Sequence, residues 1–414
     1  MKIGVVCYPT FGGSGVVATE LGIELSKKGH EVHFITYSQP VRLDALSSNL
    51  HYHEVNVPDY PLFKYEPYEL ALSSKLFDVI SKHKIDVLHV HYAIPHAYAA
   101  YMAKKILKEN GYNIPIITTL HGTDITLVGN NPFYKPAVTF SINKSDIVTC
   151  VSKSLMEDTR EFFGIKREIK VIPNFIDIDK YAKKHSLCQG NMLAQDDEKI
   201  IVHVSNFRPL KRIIDVLKIF EKINQNIDSK LIMVGDGPDK KKAKEFLRKN
   251  NLKNKVIFLG KTSEVDEILC SSDLFLLPSE KESFGLAALE AMALKVPVIS
   301  TNTGGLKDLN INGNSGYTSD IGDIDSMAEN AIKILSDGSL EKKYRNQAFE
   351  NAKKYDIKTV IPLYEKIYDQ IILDCTHVPW NIIPADKRWY RNYKVAKTLV
   401  EYLEKLNLKY PQLK

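Results

Sequence analysis

The amino-acid sequence predicts an α/β protein with two Rossmann-like domains that face each other across a cleft, followed by a helical appendage at the C-terminus. Three observations lead to this prediction. Short apolar runs typical of buried strands alternate with helical patterns in two successive series, a polar stretch separates the two series, and the composition changes near the C-terminus. The chain has 414 residues, 44% of them hydrophobic, which suits about two or three globular domains.

The first series opens with an apolar run at residues 2–8, a glycine-rich turn, a helical pattern over residues 16–28 and a second apolar run at residues 31–37. This order is typical of the first unit of a doubly wound domain. Further strands are predicted at residues 85–91, 114–120 and 145–151, with a helix at residues 97–109. Ser152 is predicted to cap the N-terminus of the helix that follows the last of these strands.

The second series begins after residues 183–198, which lack apolar periodicity and are predicted to form a linker or exposed loop. Five short β-rich runs separated by helical patterns follow at residues 200–204, 231–234, 256–259, 274–277 and 296–300. A final helix is predicted over residues 364–373. Because ligands of such sheets bind beyond the carboxyl ends of the strands, we expect the functional site in the cleft between the two domains.

The net charge of +6 is unevenly distributed, since residues 376–414 hold eight Lys and Arg against three Asp and Glu. The nearly neutral body argues against a nucleic-acid-binding surface. We also expect no membrane span, because no run of about 18 apolar residues occurs, and no signal peptide. The cysteines are odd in number and widely spaced, which predicts neither a disulfide framework nor a zinc knuckle and fits a reducing cytoplasm; they are Cys7, Cys150, Cys188, Cys270 and Cys375.

The first motif is Gly12-Gly13-Ser14-Gly15, between the first strand and the first helix. Glycines at this point let backbone N–H groups approach an anion at the N-terminus of the helix. The alternative is a tight turn that needs only the conformational freedom of glycine. The spacing departs from GxGxxG and the next strand ends without an acidic residue, so a nicotinamide cofactor is disfavoured.

The second motif follows the first strand of the second series and contains Asn206, Arg208, Lys211 and Arg212. Cations just past a strand could neutralise a diphosphate without a metal. The alternative is a solvated basic start of a helix.

The third motif places Glu282 on a loop after a strand and Glu290 on the following helix. Carboxylates suit hydroxyl-rich ligands because they accept strong hydrogen bonds from sugar and ribose O–H groups. The alternative for Glu290 is a cap or ion pair within its own helix. The loop of Thr303, Gly304 and Gly305 after the next strand is expected to face the same cleft.

The string PSEKESFGLAALEAMALKVPVISTNTGG resembles the signature of the retaining glycosyltransferases with the GT-B fold, in the large family four, whose Glu-x7-Glu motif would be Glu282 and Glu290. The segments CYPTFGGSGVVATELG, DVLHVHYAIPHA, TLHGTDIT and HVSNFRPLKR extend the resemblance, which covers residues 1–373. Within the family these segments look like those of the enzymes that transfer N-acetylglucosamine from UDP-N-acetylglucosamine to L-malate in bacillithiol biosynthesis.

The resemblance implies a role for each matching position. Lys211 and Arg208 would hold the UDP diphosphate with the glycine turn, Glu290 would bind the ribose, and Glu282 and His121 would contact the sugar. The implied donor-binding residues are Gly12, Gly13, Gly15, Asn206, Arg208, Lys211, Glu282, Phe284, Gly285, Leu286 and Glu290. The implied catalytic residues are Lys211, Arg208, Glu282 and His121, and the implied acceptor-binding residues are Ser14, Tyr92 and Thr123.

The resemblance also implies a domain division and a set of partners. Residues 1–175 would form the acceptor domain, residues 176–355 the UDP-sugar domain, and residues 356–375 a closing helix that returns to the N-terminal domain, followed by a tail at residues 376–414. The enzyme would need no metal or cofactor, would be cytoplasmic and would form a homodimer. Two alternatives stay open: a lipid or polysaccharide hydroxyl as acceptor, or an inactive transferase body that acts as a binding or scaffolding protein.

Some features depart from the family pattern or imitate other sites. Asn206 stands where the family often has arginine, and Arg208 is the candidate replacement. Asp177 and Asp179 imitate the metal-binding DxD motif, but they follow a Pro-Asn-Phe segment like an interdomain segment of this family, so a metal role is not expected. A zinc site built from His89, His91 and His96 is disfavoured because no fourth ligand is apparent, and packing near the acceptor cleft is expected instead.

The tail holds both tryptophans of the chain, and residues 386–406 have the pattern of an amphipathic helix. The segment from Val378 to Tyr393 resembles the C-terminal end of polyphosphate kinase 2 enzymes. Only about 38 residues match and the nucleotide-binding core of the kinase is absent from the resemblance, so kinase activity is not implied.

Overall fold

The computed structural model describes residues 1–10, 12–43, 47–59, 61–62, 64–129, 131–186, 198–262, 264–375, 392–397 and 399–400. The chain divides into a compact unit of residues Met1–Ile372 and a second unit of residues Leu373–Lys414. The first unit contains two separate parallel sheets, each covered by helices, which confirms the predicted α/β class with two Rossmann-like domains. In the second unit, residues 392–397 and 399–400 are helical, whereas the rest of the helix predicted over residues 386–406 lies outside the described residues.

The first sheet has seven parallel strands in the order β3-β2-β1-β4-β5-β6-β7. They are β1 (Lys2–Val6), β2 (Glu31–Thr36), β3 (Leu50–Glu54), β4 (Val87–His91), β5 (Ile116–Leu120), β6 (Ile147–Cys150) and β7 (Lys170–Val171). The helices of this half are α1 (Gly13–Lys27), α2 (Tyr68–His83), α3 (Tyr98–Glu109), α4 (Lys135–Lys144) and α5 (Lys153–Phe163). An irregular turn at Ala93–Ala97, in which Ile94 has an extended backbone, follows β4, and a short π-helical turn at Thr123–Leu127 follows β5.

The second sheet has six parallel strands in the order β10-β9-β8-β11-β12-β13. They are β8 (Lys199–Val204), β9 (Ser229–Val234), β10 (Val256–Gly260), β11 (Leu274–Leu277), β12 (Val298–Thr301) and β13 (Gly316–Ser319). The helices from the linker onward are α6 (Ile178–Ser186), α7 (Ile213–Asn224), α8 (Lys240–Lys249), α9 (Val265–Cys270), α10 (Leu286–Ala293), α11 (Leu306–Leu309), α12 (Ile324–Ser336), α13 (Gly338–Ala352) and α14 (Ile357–Cys375). A 3₁₀ turn at Pro209–Lys211 precedes α7.

Both sheets reverse their strand order beside their first strand. β1 pairs with β2 on one side and β4 on the other, and β8 pairs with β9 and β11 in the same way. Loops at the carboxyl ends of strands on either side of such a point diverge, and the crevice between them is where α/β sheets bind ligands. The strands read as nearly continuous apolar runs because helices bury both of their faces.

The turn into α1 shows why its glycines are needed. A Cβ atom at Gly15 would collide with the carbonyl oxygen of Tyr8, so the helix can start this close to the end of β1 only with glycine at that position. Ser152 caps α5 as predicted, because its Oγ accepts the N–H of Leu155 at 3.2 Å.

The structure differs from the sequence-based predictions in several elements. The strands β3, β7 and β13 and the helices α2, α4, α11, α12 and α13 were not predicted. The helical pattern at residues 364–373 covers only the later part of α14, which starts at Ile357, within the closing helix predicted over residues 356–375. Residues 183–186 belong to α6 rather than to the linker, because Ile178 and Tyr181 at the start of this helix are buried. Residues 187–197 of the predicted linker lie outside the described residues.

The final helix contacts the N-terminal sheet. The backbone N–H of Ile357 donates to the carbonyl of Ile176 at 2.8 Å, just before α14 leaves the C-terminal half. Further along the helix, the buried Tyr368 hydroxyl lies 2.7 Å from Nδ1 of His89 on β4, and Glu365 pairs with Lys28 after α1 at 2.6 Å.

Two further sequence expectations can be compared with the structure. Within the described residues, every helix is too short or too polar to cross a bilayer. Cys7 and Cys150 are buried free thiols, whereas Cys270 is disulfide-bonded, which the spacing of the cysteines did not predict.

Candidate active site

The loop after β8 carries the cations of the second motif. Phe207 is fully buried and holds a φ angle of 41°, so the loop turns sharply and leaves the side chains of Asn206 and Arg208 exposed. A loop after β9 packs on this turn, and a Cβ atom at Gly235 would collide with the carbonyl oxygen of Ser205. The sequence reasoning missed Gly235, although a glycine directly after an apolar run is a usual sign of close backbone approach.

Lys211 and Glu282 form an ion pair at the carboxyl edge of the second sheet. Their side chains are only 16% and 12% exposed. Ser279, which the sequence reasoning did not single out, donates its hydroxyl to Oε1 of the same glutamate at 2.9 Å. The two loops are also joined by their backbones, because the N–H of Glu280 donates to the carbonyl of Leu210 at 2.8 Å. The predicted phosphate cation and sugar carboxylate therefore lie together.

The glycine loop after β12 supports the Glu282 loop from the other side. The N–H of Gly305 donates to the carbonyl of Glu282 at 2.9 Å, and the Thr303 hydroxyl donates to the carbonyl of Glu280 at 3.1 Å. This loop thus lies at the same edge of the sheet, as the sequence indicated.

Of the residues after Glu282, Phe284 packs in the core, and Gly285 and Leu286 form the start of α10. Phe284 is buried with its ring edge-on to Tyr355 at a centroid distance of 5.4 Å, so only its main chain could contact a ligand. Gly285 has a φ angle of 97° and precedes α10, which Leu286 begins. Leu286 also lies near the first motif, since a Cβ atom at Gly13 would be 3.3 Å from its Cδ2. Gly12 and Gly13 are exposed at the start of α1.

Glu290 lies in a different polar group from Glu282. It is 14% exposed and accepts a hydrogen bond from the Tyr181 hydroxyl at 3.2 Å. Arg42, from the loop after β2, reaches within 4.0 Å of it and also pairs with Glu20. Burial raises the pKa of Glu290 to about 7 despite the nearby guanidinium. Arg42 and Tyr181 were missed, and Arg42 has no local signal because its contact comes from the opposite domain.

The predicted acceptor residues form one cluster on the N-terminal side. The Ser14 hydroxyl lies 2.9 Å from the Tyr92 hydroxyl, and the nearby Thr123 side chain lowers the pKa of Tyr92. Burial raises the pKa of Tyr92, and the positive charge of Arg208 opposes this shift. Arg208 therefore acts on this cluster from the second domain.

His121 is held as a neutral ring. Its Nε2 lies 2.8 Å from Nδ1 of His91, and burial lowers the pKa of His121 to about 3. Asp124 fixes the loop that carries it, accepting the N–H groups of Gly122 at 2.9 Å, His121 at 3.2 Å and Ala93 at 3.0 Å. Burial raises the pKa of Asp124 to about 6. Asp124 belongs to the segment TLHGTDIT, but no role was predicted for it from the sequence.

A cavity of about 330 Å³ opens between the two domains beside Glu282. Thr126 and Ser154 line it from the N-terminal side, and Glu282 and Ser283 from the C-terminal side. An ion pair of 3.1 Å between Lys281 and Asp158 joins the two sides at its edge.

The residues that imitate metal-binding motifs make other contacts in the structure. Asp179 pairs with Lys358 at 2.5 Å, and Asp177 accepts the N–H of Lys180 at 3.1 Å at the start of α6. Both ring nitrogens of His89 are hydrogen-bonded, to Tyr368 and to Thr119. Among the described residues, the sets of metal-ligating atoms that converge lie elsewhere and exclude His91 and His96.

Two Rossmann-like domains that meet at a cleft, with Lys211 and Glu282 at the carboxyl edge of the second sheet, have the architecture of the GT-B glycosyltransferases. Residues 11–180 match the family model described as Glycosyltransferase Family 4, and residues 190–355 match the model described as Glycosyl transferases group 1. The chain is 44% identical over 376 residues to N-acetyl-alpha-D-glucosaminyl L-malate synthase of Bacillus anthracis. The matched region covers 90% of this chain and 98% of that relative. The chain therefore belongs to the same glycosyltransferase family as the Bacillus anthracis enzyme.

More distant relatives and solved structures agree on the fold. An uncharacterized glycosyltransferase of Methanocaldococcus jannaschii is 27% identical over 88% of this chain and 97% of its own length. Sucrose-phosphate synthase from Thermosynechococcus elongatus superposes with a TM-score of 0.74 over 90% of this chain and all of that chain, at 19% identity. HepE of Anabaena, solved with UDP and glucose, gives a TM-score of 0.73 over 89% of this chain and 99% of its own, at 18% identity.

Proposed function

We propose that this enzyme transfers N-acetylglucosamine from UDP-N-acetylglucosamine to the hydroxyl of L-malate, the first step of bacillithiol biosynthesis. The observation that carries the proposal is the 44% identity to the Bacillus anthracis synthase, which extends across both domains and the loops that bear the candidate residues. The geometry of the cleft supports the donor part of the proposal, and the relative supports the acceptor part.

On the donor side, Lys211 and Arg208 would neutralise the UDP diphosphate. Breaking the anomeric C–O bond puts negative charge on the departing phosphate, and a fixed cation aimed there typically contributes about 3 kcal/mol to stabilising the transition state. Lys211 is paired with Glu282 in the structure, so the diphosphate would compete for this cation while Glu282 turns to a hydroxyl of the sugar. Glu290 would accept the ribose hydroxyls in place of the Tyr181 hydroxyl.

On the acceptor side, the hydroxyls of Ser14, Tyr92 and Thr123 would bind malate next to the neutral His121. By analogy with the family, the malate hydroxyl attacks the anomeric carbon from the face that the phosphate leaves. The leaving phosphate takes the hydroxyl proton, and the product keeps the configuration of the donor. These roles need no metal or cofactor, and we place the reaction in the cytoplasm. A homodimer stays a prediction.

The relative favours malate over the two alternatives. A transferase with a lipid or polysaccharide acceptor would use the same donor-binding residues. An inactive transferase that acts as a binding protein would need these charged residues only to hold a ligand. The intact set of Lys211, Glu282 and Glu290, together with the match over nearly the whole length of a malate-using enzyme, argues for turnover with malate.

Release of UDP by the purified enzyme from UDP-N-acetylglucosamine tests the proposal directly. We expect release that depends on L-malate and persists at an unchanged initial rate in the presence of a chelator. Succinate, which has the two carboxylates but lacks the hydroxyl, is the matched control and should give no product. Turnover with another hydroxyl compound and none with malate would replace the acceptor, and no turnover with any acceptor would favour a binding role.

A further inference from the structure

Five metal-ligating side chains gather on one face of the first sheet, near the edge formed by β3. Glu31 and His33 lie on the same face of β2, and His51 and His53 lie on the same face of β3, because each pair is two residues apart. His83, at the C-terminal end of α2, completes the group. Glu31 begins β2, so the group lies toward the amino ends of the strands, away from the cleft at their carboxyl ends.

Three of these imidazoles present ligating nitrogens to one another. His33, His53 and His83 each offer one nitrogen within 4.8 Å of the others. The His33–His53 pair is closest, with Nδ1 of His33 2.9 Å from Nε2 of His53. Their ring centroids lie 4.8 to 5.2 Å apart in all three pairs. Nitrogens bound to a tetrahedral Zn²⁺ ion lie about 3.3 Å apart, so each of these separations would have to change by at most about 1.5 Å to hold the ion.

Glu31 supplies the outer contact that a metal-bound histidine needs. Its Oε1 lies 3.0 Å from Nε2 of His33, so His33 can donate its N–H there and direct the lone pair of Nδ1 toward His53 and His83. Lys2 pairs with the other carboxylate oxygen at 3.2 Å and anchors it. A carboxylate behind a ligating imidazole fixes the ring and its tautomer in many zinc sites.

We propose that His33, His53 and His83 form a Zn²⁺ site whose fourth position is taken by water, with Glu31 as the orienting carboxylate. Imidazole nitrogen is a preferred ligand of Zn²⁺, and three of them with one open position match its tetrahedral geometry. The ion would tie the edge strand β3 and the end of α2 to the buried strand β2. Its place away from the cleft separates it from the metal-independent transfer proposed above.

The test titrates the tag-free, chelator-treated full-length protein with Zn²⁺ against a chromophoric chelator. We expect one tight equivalent and a melting temperature that rises with Zn²⁺ concentration. His83→Gln and His53→Gln should lose this equivalent, and Glu31→Gln should weaken it about 10–100-fold. Co²⁺ in place of Zn²⁺ should give the strong visible absorption of a tetrahedral site, and Mg²⁺ should not compete.

His51→Gln is the matched control, because His51 stacks on His33 at 4.5 Å yet belongs to the other converging set, with Glu31 and His33. We expect it to keep the tight equivalent. The same Zn²⁺ affinity in wild type and His83→Gln would overturn the proposal, as would loss of binding in His51→Gln with binding kept in His83→Gln. His83 is half-buried at the end of its helix, so its substitution should leave the metal-free melting temperature unchanged.

Discussion

The two sides of the cleft hold their polar groups by different means. On the N-terminal side, Tyr92 and His121 are neutral and are held by hydrogen bonds to the Ser14 hydroxyl and to the His91 ring. On the C-terminal side, Lys211 and Glu282 carry opposite charges and are paired in a largely buried position. The first arrangement is a neutral hydrogen-bonded cluster, whereas the second is an ion pair whose two members would contact different parts of the proposed donor.

This difference indicates how the two substrates are recognised. Largely buried charges are costly unless paired, so Lys211 and Glu282 stabilise each other. Under the proposed function, a diphosphate would compete for Lys211 by offering it a doubly charged partner. A neutral acceptor pocket does not repel a dicarboxylate, but it needs a cation from elsewhere. In the proposed reaction Arg208 holds the UDP diphosphate, and because its charge also acts on Tyr92 from the second domain, the same guanidinium would attract the malate carboxylates.

The largest expected effect is that of removing the donor cation. Lys211→Ala should lower kcat by about 100-fold, because the leaving phosphate loses a cation that acts mainly in the transition state. Initial rates of UDP release at saturating substrates measure this. Lys218→Ala, an exposed lysine on α7, is the control and should stay within about twofold. A normal rate in Lys211→Ala would place the phosphate elsewhere.

On the neutral side, the largest effect should come from Asp124→Asn. The carboxylate accepts three backbone N–H groups, and an amide must point its NH₂ group at one of them. We expect the free energy of unfolding to fall by about 2 kcal/mol, measured by chemical denaturation. An unchanged unfolding midpoint would mean that the loop of His121 is held by other contacts.

The pH dependence of donor binding sharpens the contrast between the two sides. Burial raises the pKa of Glu290 from an ordinary value of 4.5 to about 7, so the carboxylate is ionised above pH 7 and protonated below it. Because ribose hydroxyls donate best to the ionised form, KM for UDP-N-acetylglucosamine should rise as pH falls from about 8 to 6.

Glu290→Gln is the matched variant for this profile. It should raise KM about 10-fold at pH 8, the loss of one hydrogen bond to a charged group, and should flatten the dependence between pH 6 and 8. If the variant keeps the wild-type dependence of KM on pH, another group near the cleft is responsible for the titration. The charged residues that face Glu290 are Arg42, Asp266 and Glu20.

The smallest effect is expected from Tyr92→Phe. The substitution removes the hydroxyl that hydrogen-bonds to Ser14 but keeps the ring, so KM for malate should rise only about threefold to tenfold with kcat nearly unchanged. Steady-state kinetics with varied malate measure this, with KM for the donor as the internal control. A loss of kcat instead would place this hydroxyl at the reacting atoms.

Much of the fold could be predicted from the sequence because parallel strands buried on both faces leave plain apolar runs. β3 was not predicted because its sequence, Leu-His-Tyr-His-Glu, lacks the apolar run of a buried strand; it is an edge strand whose side chains are only partly buried. α2 carries an ordinary amphipathic pattern, with Leu72, Leu76 and Ile80 buried, and could have been predicted.

The candidate site was predictable only where chemistry is concentrated in one segment. Lys211 and Glu282 stand in motif strings, and the structure brings them together. The contact of Arg42 with Glu290 depends on how two domains meet, which no local pattern encodes. The histidine group of the first sheet was missed for a related reason, because its members come from two strands and a helix.

The central claim is that donor binding exchanges an internal ion pair for contacts to UDP. A crystal structure of the enzyme with UDP tests it most directly. We predict that Nζ of Lys211 leaves Glu282 and contacts the diphosphate, with the ribose hydroxyls on Glu290. A bound nucleotide that leaves the Lys211–Glu282 pair intact and does not touch Glu290 would contradict the account.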